Sequence, residues 1–171
     1  MSVLDIIKKR RSVRAYLPDE VSEDKLHNIL EAARLAPSAR NKQNWKFIVI
    51  KDKETKAQVA RISGEQMFIA DAPVVIAAVS VDPEYNMRCG IPAHAVDLGI
   101  AMEHIALAAA EEGLGSCWIG AFNQDDIKKV LNVPEKYKVV AVMPIGYAND
   151  KEVPKSRKEL KDIVCYNKFE E

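Results

Sequence analysis

Apolar residues recur at helical spacing from the first positions of the chain. Leu4 and Ile7 mark one face of a short helix running to about Arg10, and Ser2 with Asp5 three residues later sets up a capping box at its start. Leu17 and Pro18 break the pattern. Ser22 caps a second predicted helix, with Glu23 and Asp24 in its first turn. Leu26, Ile29, Leu30 and Ala33 supply its apolar face, and Pro37 closes it. PSARNKQN, residues 37–44, is a polar loop, and WKFIVIK at 45–51 reads as a strand. A polar helix is expected at 53–62. VVIAAVSV at 74–81 is a continuous apolar run, as in a strand buried on both faces. After a loop with two prolines, a long helix spans 93–112, and Gly113 is placed to end it in a left-handed conformation. A short strand at 116–121, a small helix at 124–131 capped by Asn123, and a strand at 138–147 with Pro144 near its end complete the pattern.

Four strands among five or six helices imply a mixed α/β sandwich. The 171 residues suffice for one domain, 1–171, with a substantial core. The helix at 93–112 is rich in Ala and Gly around much of its circumference, so it must be covered on most sides. That places it at a dimer interface. The chain ends in IVCYNKF, whose Ile163, Val164, Tyr166 and Phe169 either add to a neighbouring subunit's sheet edge or fray.

Charge narrows the function. The 25 basic and 25 acidic side chains cancel, which argues against general nucleic-acid affinity and against binding an acidic membrane surface. Any basic patch is therefore local. Cys89, Cys117 and Cys165 are odd in number and widely spaced, a pattern of neither a disulfide framework nor a zinc site. It fits a reducing cytosol, and no signal peptide is expected where Leu4 and Ile7 lead straight into charge. The apolar stretch 91–110 is interrupted by His94, Asp97, Glu103 and His104, so it reads as a buried helix and not a membrane span.

Five cations fall in residues 8–14, KKRRSVR. Arg10 and Ser12 can converge on one phosphate, the guanidinium as a bidentate donor and the hydroxyl as a neutral one. In an extended segment Arg14 shares a face with Ser12, while Val13 turns to the core. The alternative is a solvated helix end with cations near the negative pole of the dipole. A second basic set, Lys155, Arg157 and Lys158, follows the last strand. Together the two sets suit a dianionic phosphate, if the fold brings them together. GLGSCWIG lacks the third glycine of a dinucleotide fingerprint, and no Walker A loop, H-E-x-x-H or G-x-S-x-G is present. Cys89 beside Arg88 has no other activating neighbour in sequence. A chain without a nucleophile or acid–base constellation suits chemistry carried by a bound cofactor.

Four segments resemble the FMN-dependent nitroreductase family: RRSVRAY, APSARNKQNWKF, the Ala-rich helix running into GLGSCWIGAF, and PIGYANDKEVPKSRKEL. They occur in the family's order and span nearly the whole chain. The resemblance implies an α+β fold: a three-layer α/β/α sandwich with a mixed, mainly antiparallel sheet. It implies a homodimer with FMN at the interface and the tail, residues 160–171, exchanged between subunits. It places Arg10 and Ser12 at the FMN phosphate and ribityl end, with Arg11 alongside and Lys155 and Arg157 completing the phosphate site. Arg14 lies on the pyrimidine side of the flavin, where positive charge favours hydride acceptance. Pro37, Ser38, Arg40, Asn41 and Gln43 come from the partner subunit. Ile119 and Gly120 pass the flavin edge near N5, and Gln66 is the polar group opposite the pyrimidine.

The activity implied is transfer of hydride from NADH or NADPH through FMN to a small acceptor such as a nitroaromatic or quinone, with ping-pong kinetics. An FMN-binding carrier or sensor without efficient turnover is the alternative from another class. Asn44 stands where many family members have proline, and His94 at the start of the long helix is not typical. The chain is also short, lacking the helical insertion that shapes the substrate pocket in other members.

Overall fold

The computed structural model describes residues 2–170. Among them are six α-helices, α1 (Val3–Lys9), α2 (Glu23–Arg34), α3 (Lys53–Ile62), α4 (Phe68–Asp71), α5 (Ala93–Glu111) and α6 (Gln124–Val130). Four strands, β1 (Trp45–Ile50), β2 (Val74–Ser80), β3 (Gly115–Ser116) and β4 (Lys138–Gly146), form one sheet in the order β1-β2-β4-β3. Every pair of named strands is antiparallel. The parallel component is an isolated bridge from Ser12 to Ser116.

Period-two alternation on β2 divides the core. Val75, Ala77 and Val79 face a cluster containing Val59, Ile69 and Ile127, from α3, α4 and α6. Val74, Ile76 and Ala78 face a cluster containing Ile29, Met102 and Ile105, from α2 and α5. All seven β2 residues are buried, because the strand is central and covered on both sides. The architecture is thus the expected three-layer α/β/α sandwich.

The helix ends follow local chemistry. Ser2 and Asp5 exchange both capping-box hydrogen bonds, and Ser22 accepts from the Lys25 N–H. Asn123 caps α6 through the N–H groups of Asp125 and Asp126. At the end of α5, Gly113 has φ +79°; its N–H donates to Ala110 and that of Leu114 to Ala109. These paired bonds satisfy carbonyls that the helix leaves open. The four-residue α4 was not expected, being too short for a periodic signal.

The expected strand at 116–121 is shorter. Pro144 of β4 has no N–H to return to the chain at Cys117, whose own N–H reaches the Pro144 carbonyl at 3.4 Å. Pairing resumes at Ile119, which exchanges bonds of 2.9 and 3.0 Å with Val142.

Two apolar surfaces remain open. No residue of α1 is buried, and Val3, Leu4 and Ile7 are exposed. A groove of about 240 Å³ lies between α1, α2 and α5, lined by Val3, Ile6, Leu107 and Ala108 among others. In the tail, Ile163, Val164, Tyr166 and Phe169 are exposed. No helix among the described residues is long and apolar enough to cross a membrane.

Candidate functional site

The segment after α1 is held extended by the sheet. The Val13 N–H donates to Ser116 at 3.0 Å and the Leu17 N–H to Tyr147 at 2.9 Å, while Asn149 donates to Ala15 at 2.9 Å. Val13 is buried, and Tyr16 sits beneath the segment, its hydroxyl 2.9 Å from the Val13 carbonyl and 3.2 Å from that of Pro144. Burial pushes the Tyr16 phenol far above its ordinary pKa, so it stays a neutral donor. This leaves Ser12 and Arg14 exposed on the side away from the core.

The chain leaving β4 then folds back over this segment. Asp150 makes the junction. Its Oδ1 pairs with Arg11 Nη2 at 2.6 Å, its Oδ2 accepts the Arg14 N–H at 3.0 Å, and its carbonyl accepts Arg11 Nη2 at 3.2 Å. The Arg11 hydrogen bond, opposed by burial and aided by the Arg14 N–H, holds the Asp150 carboxyl below its ordinary pKa. Lys155 donates to the carbonyl oxygens of Lys8 and Arg10 at the end of α1. Burial first, and the cations of Arg10 and Arg157 next, lower its pKa.

The two basic sets therefore meet. Arg10, Arg11, Ser12 and Arg14 line one cavity of about 420 Å³ together with Lys155 and Arg157. Lys151 adds a sixth cation, and Asp150 is the acidic residue of the lining. Arg11 is committed to Asp150, whereas the Arg14 guanidinium has no acidic partner within salt-bridge distance among the described residues. Positive charge this concentrated is costly without an anion. A dianionic phosphate fits the donor set: guanidinium groups, an ammonium and the Ser12 hydroxyl.

The other residues singled out lie elsewhere in the chain. Pro37, Ser38, Arg40, Asn41 and Gln43 belong to the loop before β1, and none of them lines the basic cavity. Arg40, Asn41 and Gln43 have φ of 54°, 53° and 51°, left-handed values that side chains other than glycine rarely adopt. Three buttresses hold them. The Ala39 N–H donates to the buried Asp97 at 3.0 Å, the Gln43 N–H to Ser38 Oγ at 3.0 Å, and Asn44 Nδ2 to Asp82 at 3.0 Å. Lys42 also lies over the Tyr85 ring at 3.5 Å. Strain held this firmly is a feature of functional loops.

Ile119 is buried by its pairing with Val142, and the adjacent Gly120 is exposed. Gln66 donates from Nε2 to the Ser63 carbonyl at 2.6 Å, which ties it to the end of α3 and away from the basic cavity. Burial and the charge of Lys138 lower the His94 pKa. Cys117 is buried beside Ser12, and burial pushes its thiol up, unlike a reactive thiolate. Among the described residues no group of three or more His, Cys, Asp or Glu side chains is arranged to hold a metal ion.

Asp82, Asp97, Glu103 and Asp150 escaped the reading of the sequence as site residues. The signal was present for two of them: acids that interrupt an otherwise apolar helix need partners, and Asp97 and Glu103 are such acids.

The sequence model of the nitroreductase family matches residues 7–82 and 64–147. A nitroreductase family protein of Clostridium novyi has a solved structure that superposes with a TM-score of 0.83 at 37% identity, covering 88% of this chain and 87% of that one. An FMN-dependent nitroreductase of Clostridium difficile superposes at 0.83 with 32% identity, covering 97% and 99%. The FMN reductase (NAD(P)H) of Bacillus subtilis is 29% identical over 172 residues, covering 91% of this chain and 69% of that protein. By matched length, by fold and by the four segments in order, this chain belongs to the nitroreductase family.

Proposed function

We propose that the protein is an FMN-dependent oxidoreductase that draws on NADH or NADPH and reduces a small acceptor of the nitroaromatic or quinone class. One observation carries the reading: six cations line a single cavity with one carboxylate, three of them on the segment hydrogen-bonded to the sheet edge and three on the chain that folds back over it. Bound FMN supplies the hydride chemistry, and the protein supplies binding, orientation and charge. In this reading Arg10, Ser12, Lys155 and Arg157 hold the phosphate. Arg11 acts indirectly, through Asp150. Arg14 extends a free guanidinium toward the flavin ring, where it favours negative charge. Ile119 and Gly120 lie along the ring edge.

The same reading makes the protein a homodimer. The open face of α1, the α1–α2–α5 groove and the apolar tail are surfaces that a second copy covers. The strained loop carrying Pro37, Ser38, Arg40, Asn41 and Gln43 then completes the neighbouring subunit's site, and Gln66 keeps its contact with α3.

The test is the visible spectrum of the purified protein, with the released chromophore identified, followed by anaerobic addition of NADH and NADPH. FMN near one per subunit that bleaches rapidly, with parallel double-reciprocal lines at steady state, is the expected result. FMN that binds but bleaches slowly with both nucleotides makes the protein a carrier or sensor. No binding after incubation with FMN overturns the reading.

A further inference from the structure

We propose that Glu103 is a positioning residue that fixes Arg10 for anion binding and ties it to the segment entering Ile119 and Gly120. The inference rests on the basic cavity being the flavin phosphate site. Arg10 follows the last turn of α1, and its guanidinium Nε lies 3.5 Å from Glu103 Oε1. The other carboxylate oxygen, Oε2, accepts the indole N–H of Trp118 at 3.1 Å. One carboxylate on α5 thus bridges a cation at the cavity and the residue immediately before Ile119. With the carboxylate beside Nε, the terminal nitrogens of the planar guanidinium are left for a bidentate ligand.

Two considerations separate positioning from ordinary stabilisation. Glu103 is 43% exposed, against 19% for Arg10, and ion pairs of such exposure add little to folding. Its charge alone also has the opposite sign of effect. A carboxylate beside a phosphate repels it, so simple electrostatics has FMN binding tighter when Glu103 is neutralised. Orientation of Arg10 has it binding more weakly. The direction of the change decides.

The experiment is a titration of FMN into apoprotein, read by flavin fluorescence, for wild type, Glu103→Gln, Arg10→Ala and the double variant. Glu103→Gln is expected to weaken FMN binding about tenfold with Arg10 present and less than about twofold with Arg10 replaced, the non-additivity of a coupled pair. The apoprotein Tm should stay within about 2 °C. Tighter binding in Glu103→Gln, or equal weakening with and without Arg10, overturns the proposal. A wild-type protein that binds no FMN sinks the flavin reading alone. Trp118 emission, isolated in a Trp45→Phe background and titrated with inorganic phosphate, then decides the matter. A phosphate response lost in Glu103→Gln upholds the link, and the same response in both overturns it.

Discussion

A β-carbon placed on Gly115 would stand 2.4 Å from Val13 Cγ2 and 2.8 Å from its Cβ. Gly115 is therefore required by close approach, because β3 must lie against the buried side chain between Ser12 and Arg14. Gly115→Ala should push Val13 outward and destabilise the fold by about 1–3 kcal/mol, as overpacking does. The site should suffer with it, since Val13 cannot move without moving its neighbours. Denaturant unfolding and FMN titration check both effects. Adding Val13→Ala should recover part of the lost stability, because it removes the two methyls that the new β-carbon meets but keeps the Val13 Cβ at 2.8 Å. A Gly115→Ala protein with wild-type stability would show that the approach is looser than described.

Asp150 gives a pH prediction. Its folded pKa lies below the ordinary 3.8, chiefly through the Arg11 hydrogen bond. The unfolded chain then binds this proton more tightly than the native one. The stabilisation is complete above about 3.8 and is lost as pH falls from there through the lower folded value. Asp150→Asn should cost about 1–2 kcal/mol at neutral pH, from the lost charge-assisted bonds, and the variant should lose less stability on acidification. Urea unfolding of both proteins at about pH 7 and about pH 3 measures this. Identical acid slopes would remove Asp150 from the account.

The sheet and the two faces of the core were legible because β2 and the long helix carry strong patterns. Continuous burial of residues 74–80 follows from an unbroken apolar run, and α5 ends where Gly113 permits the left-handed turn. The shortened β3 was not legible, because it depends on which residue lies opposite. Pro144 interrupts the ladder across the sheet, a fact of register and not of local sequence. The site divides in the same way. The cations of residues 8–14 and those of 155–157 were visible, but their meeting is tertiary. Asp150 lies near the second set in sequence and serves the first, at a separation of 136 residues from Arg14. The polar interruptions of α5 were read as evidence against a membrane span, without partners assigned to them. In the fold each of three has its own partner: Asp97 the loop at Ala39, Glu103 both Trp118 and Arg10, and His104 the Ala32 carbonyl at 3.1 Å.

Arg10 and Arg14 should fail differently. If the basic cavity holds the FMN phosphate as proposed, Arg10→Ala removes a charged donor, and FMN affinity should fall by about tenfold to a hundredfold. In the same proposed placement, Arg14→Ala would leave the phosphate donors in place but remove positive charge on the ring side. Its FMN affinity should change little, while the two-electron reduction potential should drop by on the order of 30 mV, the equivalent of about 1.4 kcal/mol. Binding titrations and dye-equilibrated potentials separate the two. If both variants keep wild-type affinity and potential, the basic cluster serves something other than a flavin.

The tail offers the last test. Ile163, Val164, Tyr166 and Phe169 stay exposed, with Tyr166 at 81% and Phe169 at 84%, although aromatic side chains carry the largest apolar area for burial. Burying a side chain of this size is worth about 1.5–3 kcal/mol, so leaving them in water forgoes several times that amount unless another surface receives them. Removing residues 160–171 keeps Lys155 and Arg157 but deletes that apolar set. If the tail clasps a second copy, the shortened protein should sediment with a larger monomer fraction at low concentration and unfold at lower temperature. Its FMN affinity should also become dependent on protein concentration, because the loop at 37–43 would no longer be delivered by a stable partner. Unchanged sedimentation, stability and FMN affinity would mean that the tail is a frayed terminus and that the open face of α1 is covered in some other way.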